Sequence, residues 1–297
     1  MRSLLFVPAD SPRKLEKALA CGADALILDL EDSVAASAKQ AGRDGAAAFL
    51  AAHAGAGKSD KKLGPKLIVR VNALDTGMTD ADLDAVMPHR PHAIMLPKAT
   101  GGEDVQHLSV KLGVREAESG RDIGATGILP IATETAAALF KLGTYRGSSH
   151  RLIGLTWGAE DLAADIGAET NRLDDMSYTP PFALARSLML FGAASAEVDA
   201  VDTVFANFRD GENFRRECLA ARRDGFVAKM AIHPDQVAII NEIFSPQDNE
   251  VRKARQIVEA FAQQPDAGVL SIDGAMVDRP HLRKAERLLA RIAAISA

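Results

Sequence analysis

Cysteine is scarce in this chain: Cys21 and Cys218 are the only two among 297 residues. Two thiols cannot frame a disulfide scaffold, and they suit a reducing compartment such as the cytoplasm. Positive charge has no surplus, with 35 Lys and Arg against 40 Asp and Glu, net −5. Nucleic-acid binders usually carry a basic footprint, so nucleic acid is excluded as the main ligand. No stretch approaches the ~18 apolar residues of a membrane span. Asp10 and Arg13 interrupt the N-terminal apolar stretch before signal-peptide length, so no secretory leader is expected. No His/Cys cluster has zinc spacing, and no repeat of solenoid length is present. Aromatic residues make up 5%, with Trp157 the single tryptophan, expected to serve packing. The remainder, 47% hydrophobic and 25% charged, is ordinary for a soluble globular protein. A chain of this length buries a large core without a disulfide or metal staple.

What is present is an alternation of short β-rich runs with longer Ala- and Leu-rich helical stretches. The strands expected are residues 4–8, 25–30, 67–71, 93–96, 127–131, 152–156, 198–205 and 228–232. They are mostly apolar throughout, as strands buried on both faces should be. Helices are expected between them. One opens at Ser11 as N-cap with Pro12 at the first helical position and closes at Gly22. Others cover 33–53, 135–142 and 181–192. Eight βα units in about 240 residues is the arithmetic of a TIM (β/α)8 barrel. A doubly wound open sheet would want a Gly-rich phosphate turn after an early strand, and Ala9-Asp10-Ser11-Pro12 is not that turn. Residues 54–64 are expected to be a loop. The barrel is expected over 1–245 and a C-terminal helical extension over 246–297. The extension reads as a helix at 249–264, a break at 265–273 and an amphipathic helix at 281–295. It would serve as a cap over the site or an arm onto a neighbouring subunit.

Barrel active sites sit at the C-terminal ends of the strands. Strand two runs into Asp29-Leu30-Glu31-Asp32, strand three ends at Arg70-Val71-Asn72 and strand four at Pro97-Lys98. Glu134 follows strand five, and Glu160-Asp161 follows strand six. Five consecutive strands thus deliver charge to one rim. Glu134 and Asp161 come from neighbouring strands, about 5 Å apart, so their carboxylates can converge. Converging carboxylates repel unless a proton or cation lies between them, and hard oxygen ligands suit Mg²⁺. Each alone also reads as a helix N-terminal carboxylate. Glu160 and Asp165 rival Asp161, and spacing leaves that choice open. The cluster of Asp29, Glu31 and Asp32 reads either as a helix cap or as a shell holding a coordinated water. Arg70 is a fixed cation whose planar fork suits a substrate carboxylate or an enolate oxygen, or a salt bridge to that cluster. His233 at the end of strand eight reads as packed or ligand-touching. Asp278 reads as the N-cap of the last helix.

The segments "FVPADSPRKLEKA", "GADALILDLEDSV", "IVRVNALDT", "IMLPKA", "ATETAAALF", "WGAEDLAADIG", "GFVAKMAIHPDQV" and "DGAMVDRP" occur in this order. In this the chain resembles the HpcH/HpaI aldolase and citrate lyase β-subunit superfamily, in particular its citrate lyase β-subunit and malyl-CoA lyase branch. The resemblance spans nearly the whole chain and implies a TIM barrel with a Mg²⁺-dependent carbon–carbon lyase site, Mn²⁺ being an alternative metal. It implies Glu134 and Asp161 as metal ligands, Arg70 as substrate holder and Asp32 as support to the metal shell through water. It places Ser11-Pro12-Arg13-Lys14 near the phosphates of coenzyme A. It makes Asp278 the acid that protonates the enolate, often brought from a neighbouring subunit of a trimer or hexamer. The substrate implied is a 3-hydroxyacyl thioester such as malyl-CoA or citramalyl-CoA, giving an acyl-CoA and a 2-oxo acid. Alternatives are a malyl-CoA thioester hydrolase, a CoA-free metal-dependent aldolase and a non-catalytic binding subunit. Citrate lyase proper works with an acyl carrier subunit, of which this sequence bears no sign.

Overall fold

The computed structural model describes residues 1–53 and 64–296. The loop expected at 54–64 therefore lies outside the described residues, apart from Gly64. Eight parallel strands form the barrel: β1 Ser3–Pro8, β2 Ala25–Asp29, β3 Lys66–Arg70, β4 Ala93–Leu96, β5 Gly127–Pro130, β6 Gly154–Thr156, β7 Asp199–Asp202 and β8 Ala228–Ala231. Their order is β5-β4-β3-β2-β1-β8-β7-β6. Parallel bridges from Ile128 to Leu152 and from Ile131 to Thr156 join β5 to β6 and complete the ring. Every residue of β2, β4, β5 and β8 is buried. This explains their largely apolar character, since the helix layer covers one face and the barrel interior the other; the charged exceptions are ion-paired, Asp29 with Arg70 and Lys229 with Asp202 and Glu217.

The helices of this unit are α1 Pro12–Ala18, α2 Lys39–His53, α3 Thr79–Val86, α4 Gly102–Glu118, α5 Ala136–Leu139, α6 Ala159–Ile166, α7 Pro180–Ala196, α8 Gly211–Asp224 and α9 Pro234–Phe244. Several boundaries differ from expectation. The Ser11 side chain makes no cap hydrogen bond. Its backbone carbonyl instead accepts from the N–H groups of Lys14 and Leu15 at 2.9 and 3.1 Å. α1 ends at Ala18, and Gly22 takes a left-handed φ of 77° in the turn beyond it. Residues 33–38 are not part of α2. Ser33 N–H is tied to Asp29 at 3.1 Å, and the Lys39 ammonium to the carbonyls of Leu30 and Glu31 at 2.7 and 2.8 Å. Those bonds hold the segment against the rim until the chain turns. The helix expected at 135–142 is one α turn followed by a 3-10 turn at Leu142–Tyr145. The helix expected at 181–192 is longer, Pro180–Ala196. β6 and β7 are shorter than the apolar runs that contain them.

The chain divides into two compact units, Arg2–Ile243 and Phe244–Ala297. The second holds α10 Asp248–Gln263, β9 Val269–Ile272, β10 Ala275–Asp278 and α11 Arg279–Ser296. Its own core gathers Ala254, Ile257, Phe261, Val277 and Ala285. The break expected at 265–273 contains β9, which pairs antiparallel with β10 around Asp273 and Gly274, both at positive φ. Among the described residues no helix is long and apolar enough to cross a membrane.

Candidate active site

The barrel mouth is built on an ion pair between neighbouring strands. Asp29 ends β2, Arg70 ends β3, and the two stand in register. Arg70 Nε and Nη2 donate to the two Asp29 oxygens at 2.7 Å each. Asp29 also accepts the N–H of Glu31 at 3.0 Å. Burial works to raise the Asp29 carboxyl, but Arg70 outweighs it and holds it below the usual carboxylate range. The guanidinium rests over the Phe6 ring at 4.9 Å. Burial opposes its charge, yet Asp29 and then Glu31 keep its pKa above the ordinary value. Its remaining nitrogen, Nη1, lies 2.8 Å from Glu31 Oε2 and 3.7 Å from Asp32 Oδ2.

Four carboxylates surround Lys98, and two of them, Glu31 and Asp32, also face that nitrogen. Glu134, in the loop after β5, is only 2% exposed. Asp161 stands in the first turn of α6, where the helix N-terminus favours negative charge. Lys98 follows β4 with φ 52°. Its backbone N–H donates to Glu134 Oε2. Its ammonium lies 2.5 Å from Glu31 Oε1, 3.4 Å from Asp161 Oδ1 and 3.9 Å from Asp32 Oδ1. Burial, and then the charges of Asp161 and Glu31, push the Glu134 carboxyl up to about 8, although the Lys98 N–H works against this. Glu31 is also raised, by burial first, despite Arg70 and Lys98 beside it.

The expected site residues divide into three sets. Arg70, Glu134, Asp161 and Asp32 share the mouth, with Asp32 the most exposed of them. Lys14 stands exposed on α1. Asp278 lies in the C-terminal unit at the end of β10, with Oδ1 2.5 Å from His281 Nδ1 and accepting the His281 N–H at 3.4 Å. It thus caps α11, and the His281 hydrogen bond holds its carboxyl below the usual range. The rivals of Asp161 have other partners: Glu160 accepts from Asn171 at 2.9 Å, and Asp165 from the Ala136 N–H at 2.7 Å. Trp157 is fully buried, its Nε1–H donating to Asp202 at 2.8 Å. His233 stacks on Phe208 at 4.4 Å.

The sequence reading takes Glu31 only as a member of the acidic cluster after strand two and Lys98 only as a rim charge, and gives neither a role of its own. Both were visible as rim charges, and the Pro97-Lys98 strand end was the available signal.

Among the described residues no three His, Cys, Asp or Glu side chains are grouped as a metal cage. Mg²⁺ commonly takes one or two carboxylates and fills its octahedron with water and substrate, so a two-carboxylate pocket fits it. Glu134 and Asp161 bear on each other electrostatically, and the one cation set against both, Lys98, is shared with Glu31 and Asp32. Gly158 makes room for the first: a Cβ there would come within 2.8 Å of Glu134 Cγ. An all-oxygen donor pair, one member buried and poorly able to hold its charge alone, fits a hard dication.

An eight-stranded parallel barrel with acidic and guanidinium groups gathered at its C-terminal mouth has the layout of a barrel enzyme. The chain belongs to the HpcH/HpaI aldolase/citrate lyase family, whose model matches residues 2–234. It is 32% identical to the citrate lyase subunit beta of Leuconostoc mesenteroides subsp. cremoris over 97% of this chain and 92% of that one. It is 33% identical to the (3S)-malyl-CoA thioesterase of Cereibacter sphaeroides over 100% of this chain and 96% of that one. Its fold is similar to that of the CitE protein of Mycobacterium tuberculosis in complex with magnesium, acetoacetate and coenzyme A. The TM-score is 0.71 at 29% identity, covering 98% of this chain and 97% of that one.

Proposed function

We propose that this chain is a Mg²⁺-dependent lyase that cleaves a 3-hydroxyacyl-CoA thioester, of the malyl, methylmalyl, citramalyl or citryl type, into an acyl-CoA and a 2-oxo acid. The observation that carries this reading is that Glu134 and Asp161 both reach Lys98 at the strand ends where Asp29 locks Arg70 in place. Glu134 and Asp161 would hold Mg²⁺, which when bound supplies a Lewis acid to the hydroxyl and carboxylate of the half that leaves as the 2-oxo acid. Arg70 keeps its fork on Asp29 and faces the pocket with Nη1. A guanidinium held this way needs no reorganisation to stabilise negative charge growing on the thioester oxygen as the carbon–carbon bond opens. The buried floor excludes water from that charge and strengthens the interaction. Asp278, its carboxyl lowered by the His281 hydrogen bond, would take up the proton that the substrate hydroxyl releases and pass it to the enolate carbon, and the reverse of these steps is a condensation. Lys14, exposed at the start of α1, is suited to the phosphates of coenzyme A. The C-terminal unit is read as a cap or an inter-subunit arm of a homotrimer or hexamer, in a reducing cytoplasm where Cys21 and Cys218 remain free.

Malyl-, β-methylmalyl-, citramalyl- and citryl-CoA, each incubated with Mg²⁺ and with EDTA, test this directly when the products are resolved by mass spectrometry. A 2-oxo acid and a shorter acyl-CoA, formed only with Mg²⁺, is the expected result. Free CoA with an intact hydroxy acid would mean a thioester hydrolase, the second reading, favoured by likeness to the malyl-CoA thioesterase. No turnover of any thioester would reject both and point to a CoA-free aldolase, a carrier-bound substrate or a binding subunit.

A further inference from the structure

One residue of the mouth touches all four carboxylates around the pocket. Lys98 gives its backbone N–H to Glu134, while its ammonium lies 2.5 Å from Glu31, 3.4 Å from Asp161 and 3.9 Å from Asp32. This reach depends on an unusual backbone. Lys98 follows Pro97 and takes φ 52°, a left-handed conformation uncommon outside glycine. The turn sends the N–H and the side chain toward different carboxylates. A residue kept in that conformation needs surroundings that over-determine it, and such residues cluster at functional sites.

Charge bookkeeping isolates the role. Arg70 is committed to Asp29 through two hydrogen bonds, so that pair is neutral as a unit. Around it remain Glu31, Asp32, Glu134 and Asp161; Arg70 Nη1 also faces Glu31 and Asp32, and Lys98 is the cation that reaches all four. Its partners are unequal. Glu31 is close and buried, with a side chain 7% exposed, whereas Asp161 is more distant and 34% exposed. Lysine differs from arginine in being a point charge on a flexible stem, and Lys98 is itself 35% exposed, so it has room to move.

We infer that Lys98 is the pocket's internal counter-cation, and that a divalent metal binds Asp161 by displacing the Lys98 ammonium from it. The inference rests on the reading of Glu134 and Asp161 as the metal ligands. An ammonium and a dication on the same carboxylate repel each other strongly in a partly desolvated pocket. Lys98 therefore yields Asp161 and keeps Glu31, its shorter contact. By holding Glu31 it also keeps that carboxylate out of the metal shell. Lys98 is a positioning residue: it shields the carboxylates from one another before the metal arrives, and it sets how tightly the metal is held.

Calorimetric titration of the full chain with Mg²⁺ alone tests this without any turnover. Lys98→Met should bind Mg²⁺ about tenfold more tightly than the unaltered chain, the order expected for removing one nearby competing charge. Lys98→Arg, which keeps the charge, should stay near the unaltered value. In EDTA, Lys98→Met should melt at a lower temperature, and Mg²⁺ should restore more of its stability. Equal or weaker Mg²⁺ binding by folded Lys98→Met overturns the inference. Glu134→Gln and Asp161→Asn serve as controls: if both bind Mg²⁺ normally, it is the ligand assignment that fails. Should Lys98→Met not fold, the unaltered chain is decisive. Its lysines are reductively methylated with carbon-13, and the Lys98 signal is assigned by its loss in Lys98→Arg. That signal should shift when Mg²⁺ is added, and an unmoved signal rejects the displacement.

Discussion

At the scale of single residues, function rests on where charge is placed and how little water reaches it. Glu134→Ala or Asp161→Ala should abolish Mg²⁺-dependent turnover and weaken Mg²⁺ binding at least as much as the about 10–100-fold that loss of an outer-shell partner costs. The circular dichroism spectrum should be unchanged, and full activity in Glu134→Ala would sink the metal assignment. Glu134 also imposes a pH signature. Its carboxyl is raised by burial, and then by Asp161 and Glu31, from an ordinary 4.5 to about 8. In the metal-free fold it therefore keeps a proton that the unfolded chain has already released. The stability it contributes is complete below pH 4.5 and is lost as pH climbs through about 8. Urea midpoints taken in EDTA between those limits should fall with rising pH, and Glu134→Gln should flatten that slope. An identical slope in both proteins would place the titration elsewhere. Arg70 and Glu134 were readable in sequence as charges at the ends of apolar strands, whereas only the family resemblance chose Asp161 over Glu160 and Asp165. Lys98 was harder to rank, since its partner Glu31 lies 67 positions away and only the folded chain reveals the contact.

At the scale of elements, short strands hand their ends to loops that aim the chemistry. Gly158 sits between β6 and α6, and an added Cβ there would lie 2.8 Å from Glu134 Cγ. Gly158→Ala should push Glu134 from its place and weaken Mg²⁺ binding about tenfold or more, with little change in melting temperature, because the clash falls on one side chain. Unaltered Mg²⁺ affinity would show that the loop absorbs the methyl group. Away from the mouth, Arg151 before β6 and Glu116 in α4 form a fully buried pair with contacts of 2.9 and 2.6 Å. Glu116 also accepts the N–H groups of Gly124 and Thr126 at 2.7 Å each. Burial disfavours its charge, but these donors lower its carboxyl to about 2. This stability is present above the ordinary 4.5 and is lost as pH falls through about 2. Glu116→Gln should cost about 3–5 kcal/mol in chemical denaturation, the penalty for stranding a buried partner charge. A loss below about 1 kcal/mol would mean that the pair does not brace this end of the barrel. Element boundaries were less legible than element types. Apolar runs overstated β6 and β7, and the hairpin of β9 and β10 went unseen, because pairing partners rather than local composition decide where a strand stops.

At the scale of the whole molecule, the proposed chemistry concerns oligomers, because the proton donor read in the sequence belongs to the C-terminal unit and the metal ligands to the barrel. Asp278 is proposed as that donor, contributed by a neighbouring copy. Asp278→Ala should remove net cleavage while leaving thioester binding within about twofold. Mixed oligomers of Asp278→Ala and Glu134→Ala subunits should recover part of the activity, since some interfaces would then carry one intact copy of each group. Verified mixed oligomers with no recovery would reject contribution from a neighbour.

The sequence by itself determined the barrel, because apolar runs separated by helical stretches admit few arrangements and parallel closure places all strand ends on one rim. It also determined that acids and a guanidinium gather there. Tertiary structure alone decided which of them meet. Glu160, Asp161 and Asp165 share one helix, yet Asn171, Lys98 and the Ala136 N–H take one each. Register across β2 and β3 set Arg70 on Asp29, and a left-handed turn at Lys98 brought its two ends to different carboxylates. Such meetings depend on the stagger of neighbouring strands and the paths of separate loops, and local pattern carries no record of either.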